Sequence, residues 1–316
     1  DAVRQQMERI ESRDPADVLI LAGDHLYRMD YGPYLDVHRE SGADVTLSVL
    51  PVTAEDAGRF GMLKTNEEGW VVDFFEKPHE QDDLDRLVSR PGHASPYLAS
   101  MGIYIFKMEV LRRLLQEVPE NDFGRDIIPA AIKEGKVYAH PFEGYWEDIG
   151  TIGSFYEANL ALTQPDPPFD FYDPKHPIYT HSRFLPASRI DGCRIERVVV
   201  AEGSRMYDAN VERCVIGLRS VVRPGAWLRD VVMMGADFYE TQEQMAENRR
   251  LGRPHVGIGQ NASIERAIID KNARIGRRVI IRSHEGEVDY HKEFYSVRDG
   301  IVVIAKNAVI PDGTTI

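Results

Sequence analysis

Aliphatic residues recur at every sixth position through the second half of the chain. One run is Ile216, Val222, Leu228 and Met234; a second is Ile269, Ile275 and Ile281; a third is Ile304, Ile310 and Ile316. Small or turn-forming residues fill the gaps, as in IGLRSV, IDKNAR and IPDGTT. A six-residue repeat gives one short strand and one turn per unit, and stacking the units lines the aliphatics up as an inner ladder. The expected architecture over residues 185–316 is therefore a parallel β-helix. Two stretches interrupt the period, the charged and helical-looking residues 239–254 and residues 283–298. Such insertions map to loops on one face of a solenoid.

The first half has a different rhythm. Residues 2–12 read as a helix with Val3, Met7 and Ile10 on one face. Residues 18–22 (VLILA) read as a strand buried on both faces, followed at once by Gly23, Asp24 and His25. Residues 34–40 form the next expected helix, closed by Ser41-Gly42, and residues 43–50 a strand ended by Pro51. Residues 60–65 and 70–76 pair as strands, 78–96 read as a polar loop, and 98–106 as a further buried strand. Helices are expected over 109–118 and 127–133, an extended segment over 137–141, and a helix over 155–162 that carries the chain out of the first domain. This alternation predicts a mixed, mostly parallel sheet with helices on both sides. Five prolines within residues 163–177 mark a linker. The expected division is a domain over residues 1–162, a linker over 163–184 and the solenoid over 185–316.

Charge narrows the function. With a net charge of −13 the 316-residue chain lacks the basic face that non-specific nucleic-acid binding needs. It can still take an anionic substrate where a local Lys, Arg or metal reverses the field. Two cysteines, Cys193 and Cys214, make no disulfide scaffold and suggest a reducing compartment. No apolar run approaches a membrane span. Asp24 follows a buried strand, where open α/β sheets bind ligands, but Asp is also a favoured helix cap. Asp148, on the Gly-ended turn YWEDIGT, reads equally as a turn or cap residue. Taken singly, Glu76 and Lys77 read as a surface ion pair. Lys271 and Lys306 read as solvated turn lysines of the solenoid.

Taken in order, several segments resemble one family. They are LAGDHLYRMDY (21–31), FFEKP (74–78), ASMGIYIF (99–106), NDFGRDIIP (121–129) and GYWEDIGT (144–151), then HPIYT (176–180), MGADFYET (234–241) and RAIIDKNARIG (266–276). The chain is similar over almost its whole length to the glucose-1-phosphate adenylyltransferases, or ADP-glucose pyrophosphorylases, in wording closest to the cyanobacterial and plant type. The resemblance implies a Rossmann-like nucleotidyltransferase domain followed by a left-handed β-helix. It implies that ATP and glucose 1-phosphate give ADP-glucose and pyrophosphate, feeding glycogen or starch synthesis.

By the same resemblance Asp24 and Asp148 hold Mg²⁺, an ion that takes one or two carboxylates together with substrate phosphates. Lys77 supplies the positive charge for the sugar phosphate. Glu76, Ser100 and Asp122 face the sugar, and Gly61 lets the backbone approach it. Lys271 and Lys306 become effector contacts, with 3-phosphoglycerate as activator and phosphate as inhibitor. A homotetramer and a bacterial cytoplasm, or alternatively a plastid stroma, are implied too. The family's Gly-rich phosphate loop has no match, and the chain opens at Asp1 inside a helix, so an N-terminal part is expected to be missing. Two alternatives stay open. One is a regulatory subunit of a hetero-oligomer. The other is a sugar-phosphate uridylyltransferase fused to a hexapeptide acyltransferase, which needs a histidine base on the solenoid. His255, His284 and His291 lie in or beside the insertions instead.

Overall fold

The computed structural model describes residues 2–120, 122–168 and 170–316. Asp1, which opens the chain, and Asn121, the first residue of the NDFGRDIIP segment, lie outside the described residues. Contacts divide the chain into two compact units, Asp1–Trp146 and Glu147–Ile316.

The first unit is built on a mixed six-stranded sheet. Its strands, with β2 (His25–Tyr27) outside it, are β1 (Asp17–Leu21), β3 (Val45–Val52), β4 (Gly61–Thr65), β5 (Val71–Glu76), β6 (Tyr97–Lys107) and β7 (Val137–Pro141). The long β6 organises the rest. Along one edge it pairs antiparallel with β3. On the other, its first half pairs antiparallel with β4 and its second half with β1. β3 and β7 make the parallel pair. Since β1 and β3 both run against β6, they share a direction, and Asp24 follows the carboxyl end of β1.

One expectation about β1 needs correcting. Val18 and Ile20 pack on the core formed by Leu47, Leu111, Leu114 and Phe106, but Leu19 and Leu21 are 37% and 42% exposed. The strand is apolar on both faces and covered on one. A continuous apolar run states that both faces tolerate burial, not that both receive it. The first helix is likewise two pieces, Ala2–Gln5 and Met7–Glu11, broken at Gln6, although Val3 and Met7 do face the core. The polar stretch after Pro78 contains a short helix, Gln81–Arg86. The helix Tyr31–Ser41 is capped by Asp30, which accepts from Gly32 N–H at 2.9 Å, and ends at Gly42 with φ +68°. Asp24 therefore caps no helix; the element that follows it is a strand.

The second unit is the parallel β-helix. Three ladders of inward side chains run through it. Met206, Val222, Ile258, Ile275 and Ile310 stack on one face. Val211, Leu228, Ile264 and Ile281 stack on the next, and Ile216, Met233, Ile269 and Ile304 on the third. All of these are buried. Of the periodic positions read from sequence, Met234 alone departs, at 38% exposed. The coil from Ile216 to its partner Met233 is one residue short of three full repeats, so Met233 takes the inner place. Asn272 and Asn307 hold positive φ at corresponding turns, the short polar residues that tolerate this region best. The insertion after Tyr239 is helical over Gln242–Arg250, with a capping box between Thr241 and Gln244. The helix Ile152–Ala161 packs Tyr156 and Leu160 on Val232, Ile268 and Ile301, and the Tyr156 hydroxyl donates to the Asp230 carbonyl at 2.7 Å. Its apolar partners thus belong to the solenoid. No helix among the described residues is long and apolar enough to cross a membrane.

Candidate functional site

Five of the residues singled out in the first unit converge. Gly61 opens β4 and lies opposite Glu76, the last residue of β5. Met62 pairs with Ala99 on β6, which sets Ser100 beside the same strand end. Asp122 caps a single π-helical turn, Phe123–Ile127, accepting from the Arg125 N–H at 3.0 Å. Such turns are frequent at functional sites.

Two glycines hold the Glu76 carboxylate between them. A Cβ on Gly61 would stand 2.6 Å from Glu76 Oε2 and 2.7 Å from Phe74 Cζ. A Cβ on Gly124 would stand 2.5 Å from the same oxygen. Close approach of backbone to the Glu76 carboxylate is the reason for glycine at both places. Burial pushes the Glu76 carboxyl up; the neighbouring Asp122 adds to this, while Lys77 and Arg125 oppose it. Beneath them Ser100 donates to the Tyr104 hydroxyl at 3.5 Å and accepts from the Gly102 N–H at 3.3 Å. Burial raises the Tyr104 phenol as well, so it stays a neutral hydroxyl. The result is a polar cluster of carboxylates and hydroxyls, the set that hydrogen-bonds a polyol.

Lys77 leaves this strand end with φ +53° and is exposed; its N–H donates to the Phe60 carbonyl at 3.1 Å. A non-glycine residue held in the left-handed region is the kind of strain that collects at ligand clamps. Asp24 is also exposed, at 64%, with His25 Nε2 3.7 Å from its Oδ1. The His25 ring meets Trp146 edge-on at 5.0 Å, and Trp146 meets Phe60 in the same way at 5.2 Å. His25 Nδ1 is buried without a hydrogen-bond partner. Asp148 belongs to the other unit, where its Oδ1 accepts the Gly150 N–H at 2.9 Å. This is the turn role that its sequence context allows.

The donor set bears on magnesium. Among the described residues no group of three or more His, Cys, Asp or Glu gathers as a cage. Mg²⁺ does not need one; it keeps waters and substrate phosphates and takes one or two carboxylates. The Asp24 carboxylate, open to solvent and with no stronger partner among the described residues than a long contact with His25, fits that demand.

In the second unit, Lys271 and Lys306 meet at one turn of the solenoid. Lys271 Nζ is 3.4 Å from Asp237 Oδ1 and Lys306 Nζ 3.6 Å from Asp237 Oδ2. Asn272 donates to Asp237 at 3.0 Å and to Asn307 at 3.2 Å, tying adjacent coils together. The Asn272 hydrogen bond, with the two lysines, holds the Asp237 carboxyl below its usual range.

Sequence reasoning missed Gly124, Tyr104 and Arg125. The first and last sit inside the NDFGRDIIP segment, where a Gly one residue from the turn's start was the available signal. Tyr104 was hidden by its place within an apolar strand.

Comparison with known families agrees with this geometry. Residues 1–165 match the model described as nucleotidyl transferase, and residues 183–315 match that of the GLGC left-handed parallel beta-helix domain. The chain belongs to the nucleotidyl transferase family, and its combination of domains is that of sugar-phosphate nucleotidyltransferases of the ADP-glucose pyrophosphorylase type.

Proposed function

We propose that this nucleotidyltransferase joins ATP to glucose 1-phosphate, giving ADP-glucose and pyrophosphate. The observation that carries the reading is the cradle around Glu76, where two glycines and Asp122 crowd one half-buried carboxylate beside the exposed cation Lys77. A hexose phosphate needs both parts: acceptors for hydroxyls and a point charge for phosphate.

In the proposed reaction an oxygen of the sugar phosphate attacks the α-phosphorus of ATP, and the bond to the pyrophosphate oxygen breaks. Lys77 binds the sugar phosphate and offsets its charge as it nears the triphosphate. Glu76 and Asp122 accept from sugar hydroxyls and fix the ring, so that the phosphate is aimed rather than merely held. Asp24 and Asp148 would hold Mg²⁺, which supplies Lewis-acid stabilisation of the phosphate charge when bound. Lys271 and Lys306 would receive a small phosphorylated effector, for which 3-phosphoglycerate and phosphate are the candidates. A homotetramer in a bacterial cytoplasm or a plastid stroma belongs to the same proposal.

The test pairs binding with turnover. Titration calorimetry should show glucose 1-phosphate binding to the chain, and Lys77→Ala should weaken it at least tenfold. Pyrophosphate release should require ATP and glucose 1-phosphate together, with UTP a poor substitute. Equal use of UTP, or an indifferent Lys77→Ala, would overturn the assignment.

A further inference from the structure

The solenoid carries a cavity that the proposed reaction does not use. It lies where the helix Gln242–Arg250 and the loop after it cover the face made by Val221–Val222, Gly257–Ile258 and Arg274–Ile275. Its volume is about 290 Å³, and four arginines line it, Arg223, Arg249, Arg253 and Arg277, with His255 beside them. The one carboxylate in the lining is Asp312, whose Oδ1 is taken by the Arg277 backbone N–H at 2.7 Å. This is a concentrated positive field in a chain whose net charge is −13.

The positive charge is only partly offset from within, by Glu240 near Arg223 and His255 and by Glu247 near Arg253. Arg223 Nη1 donates to the carbonyls of Val256 and Ile258, at 3.1 and 3.2 Å. Arg253 Nε donates to Asn248 Oδ1 at 2.7 Å. Arg249 and Arg277 have no carboxylate within ion-pair distance among the described residues. The nearby buried acid, Glu240, is already committed: it takes Arg274 at 2.6 Å, the Asn248 amide at 2.6 Å and the Val256 N–H at 3.0 Å. Burial lowers the Arg223 pKa; Glu240 opposes that, and Arg274 and Arg277 add to it. Burial likewise lowers His255, with Arg223, Arg249 and Arg274 pushing the same way and Glu240 opposing. Gathering cations that repel one another is unfavourable unless an anion completes the set.

We propose that this cavity binds a small phosphate monoester, its phosphate taken by Arg249 and Arg277 and its short carbon part filling the remaining volume. Guanidinium forks match phosphate geometry and bind it bidentately. The volume admits a phosphate with a few carbons. The site is separate from the Lys271–Lys306 turn. Lys271 precedes the strand Arg274–Ile275 and Arg277 follows it, so the two sets occupy successive corners of the coil.

The test is titration calorimetry of the whole chain with inorganic phosphate and with glycerol phosphate, at constant ionic strength. Two double variants are compared: Arg249→Ala with Arg277→Ala, and Lys271→Ala with Lys306→Ala. The arginine variant should lose at least tenfold in affinity for both probes at one site, and the lysine variant should keep that site. Unchanged binding in the arginine variant, loss of all binding in the lysine variant, or no binding of glycerol phosphate to the parent chain at millimolar concentration would each overturn the proposal. Should the arginine double variant melt early, Arg249→Ala alone repeats the comparison, since that exposed side chain makes no hydrogen bond or ion pair among the described residues.

Discussion

Gly61→Ala tests the Glu76 cradle most directly. The new methyl would meet Glu76 Oε2 at 2.6 Å and Phe74 Cζ at 2.7 Å, both inside contact distance. Both atoms are the far ends of side chains, so the contact is relieved by moving the Glu76 carboxylate out of its place beside Gly61 and Gly124, whose own Cβ position is 2.5 Å from the same oxygen. Overpacking of this kind costs about 1–3 kcal/mol. Removing a glycine from a strand returns roughly 0.5–1 kcal/mol. The net expectation is a destabilisation of about 0–2.5 kcal/mol, a fall of up to roughly 10 °C in the melting of a unit this size. Glucose 1-phosphate affinity should fall at least tenfold, since the displaced carboxylate no longer meets the sugar. Gly124→Ala should behave alike, and the double variant should be worse than the sum, because both methyls claim one oxygen's space. Glu76→Ala in the Gly61→Ala background should recover stability without recovering binding. Trp146 fluorescence in the first unit reports unfolding, and calorimetry reports binding. A Gly61→Ala protein with parental melting and parental affinity would refute the cradle.

Three further outcomes follow from the same contacts. Glu76 has its folded pKa raised by burial and Asp122, so its ionised form is disfavoured in the fold. Stability is therefore lost as pH rises from the unfolded value through the folded one and is flat above it. Glu76→Gln should raise the melting temperature at pH 7, lose that advantage below about pH 4.5, the ordinary glutamate range, and weaken sugar binding throughout. Ile269→Ala removes a buried rung between Met233 and Ile304; it should destabilise the solenoid by about 2–5 kcal/mol in urea unfolding and leave glucose 1-phosphate affinity in place. Lys306→Ala should weaken activation by 3-phosphoglycerate and leave basal turnover unchanged, read from pyrophosphate release; unchanged activator dependence would remove Lys306 from the effector site.

What could be read from sequence alone depended on how local the cause is. The solenoid was legible because each coil repeats the same local demand, an inward aliphatic followed by a tight turn, and burial enforces it at every rung. It failed at Met234 because the stacking of Met233 on Ile216 and Ile269 decides which of two adjacent methionines faces in. β1 was misjudged for a related reason: VLILA carries no record of which strand or helix will cover each face. Asp24 and Lys77 were marked as candidates by chemistry and motif. The strain at Lys77 was not, since no glycine flags the positive φ.

Glu76 shows the same limit from the functional side. Beside Lys77 in the chain it reads as half of an exposed ion pair. In the fold its nearest pressures come from Gly61, on the neighbouring strand, and from Gly124 and Asp122, far along the chain. An ion pair with Lys77 alone would lower the carboxyl pKa, whereas here burial and a second acid raise it. A carboxylate whose pKa is raised in this way costs stability at neutral pH in the empty protein. Such an arrangement is consistent with a group whose compensation arrives with a ligand that brings its own hydroxyl donors and a phosphate for the adjacent lysine.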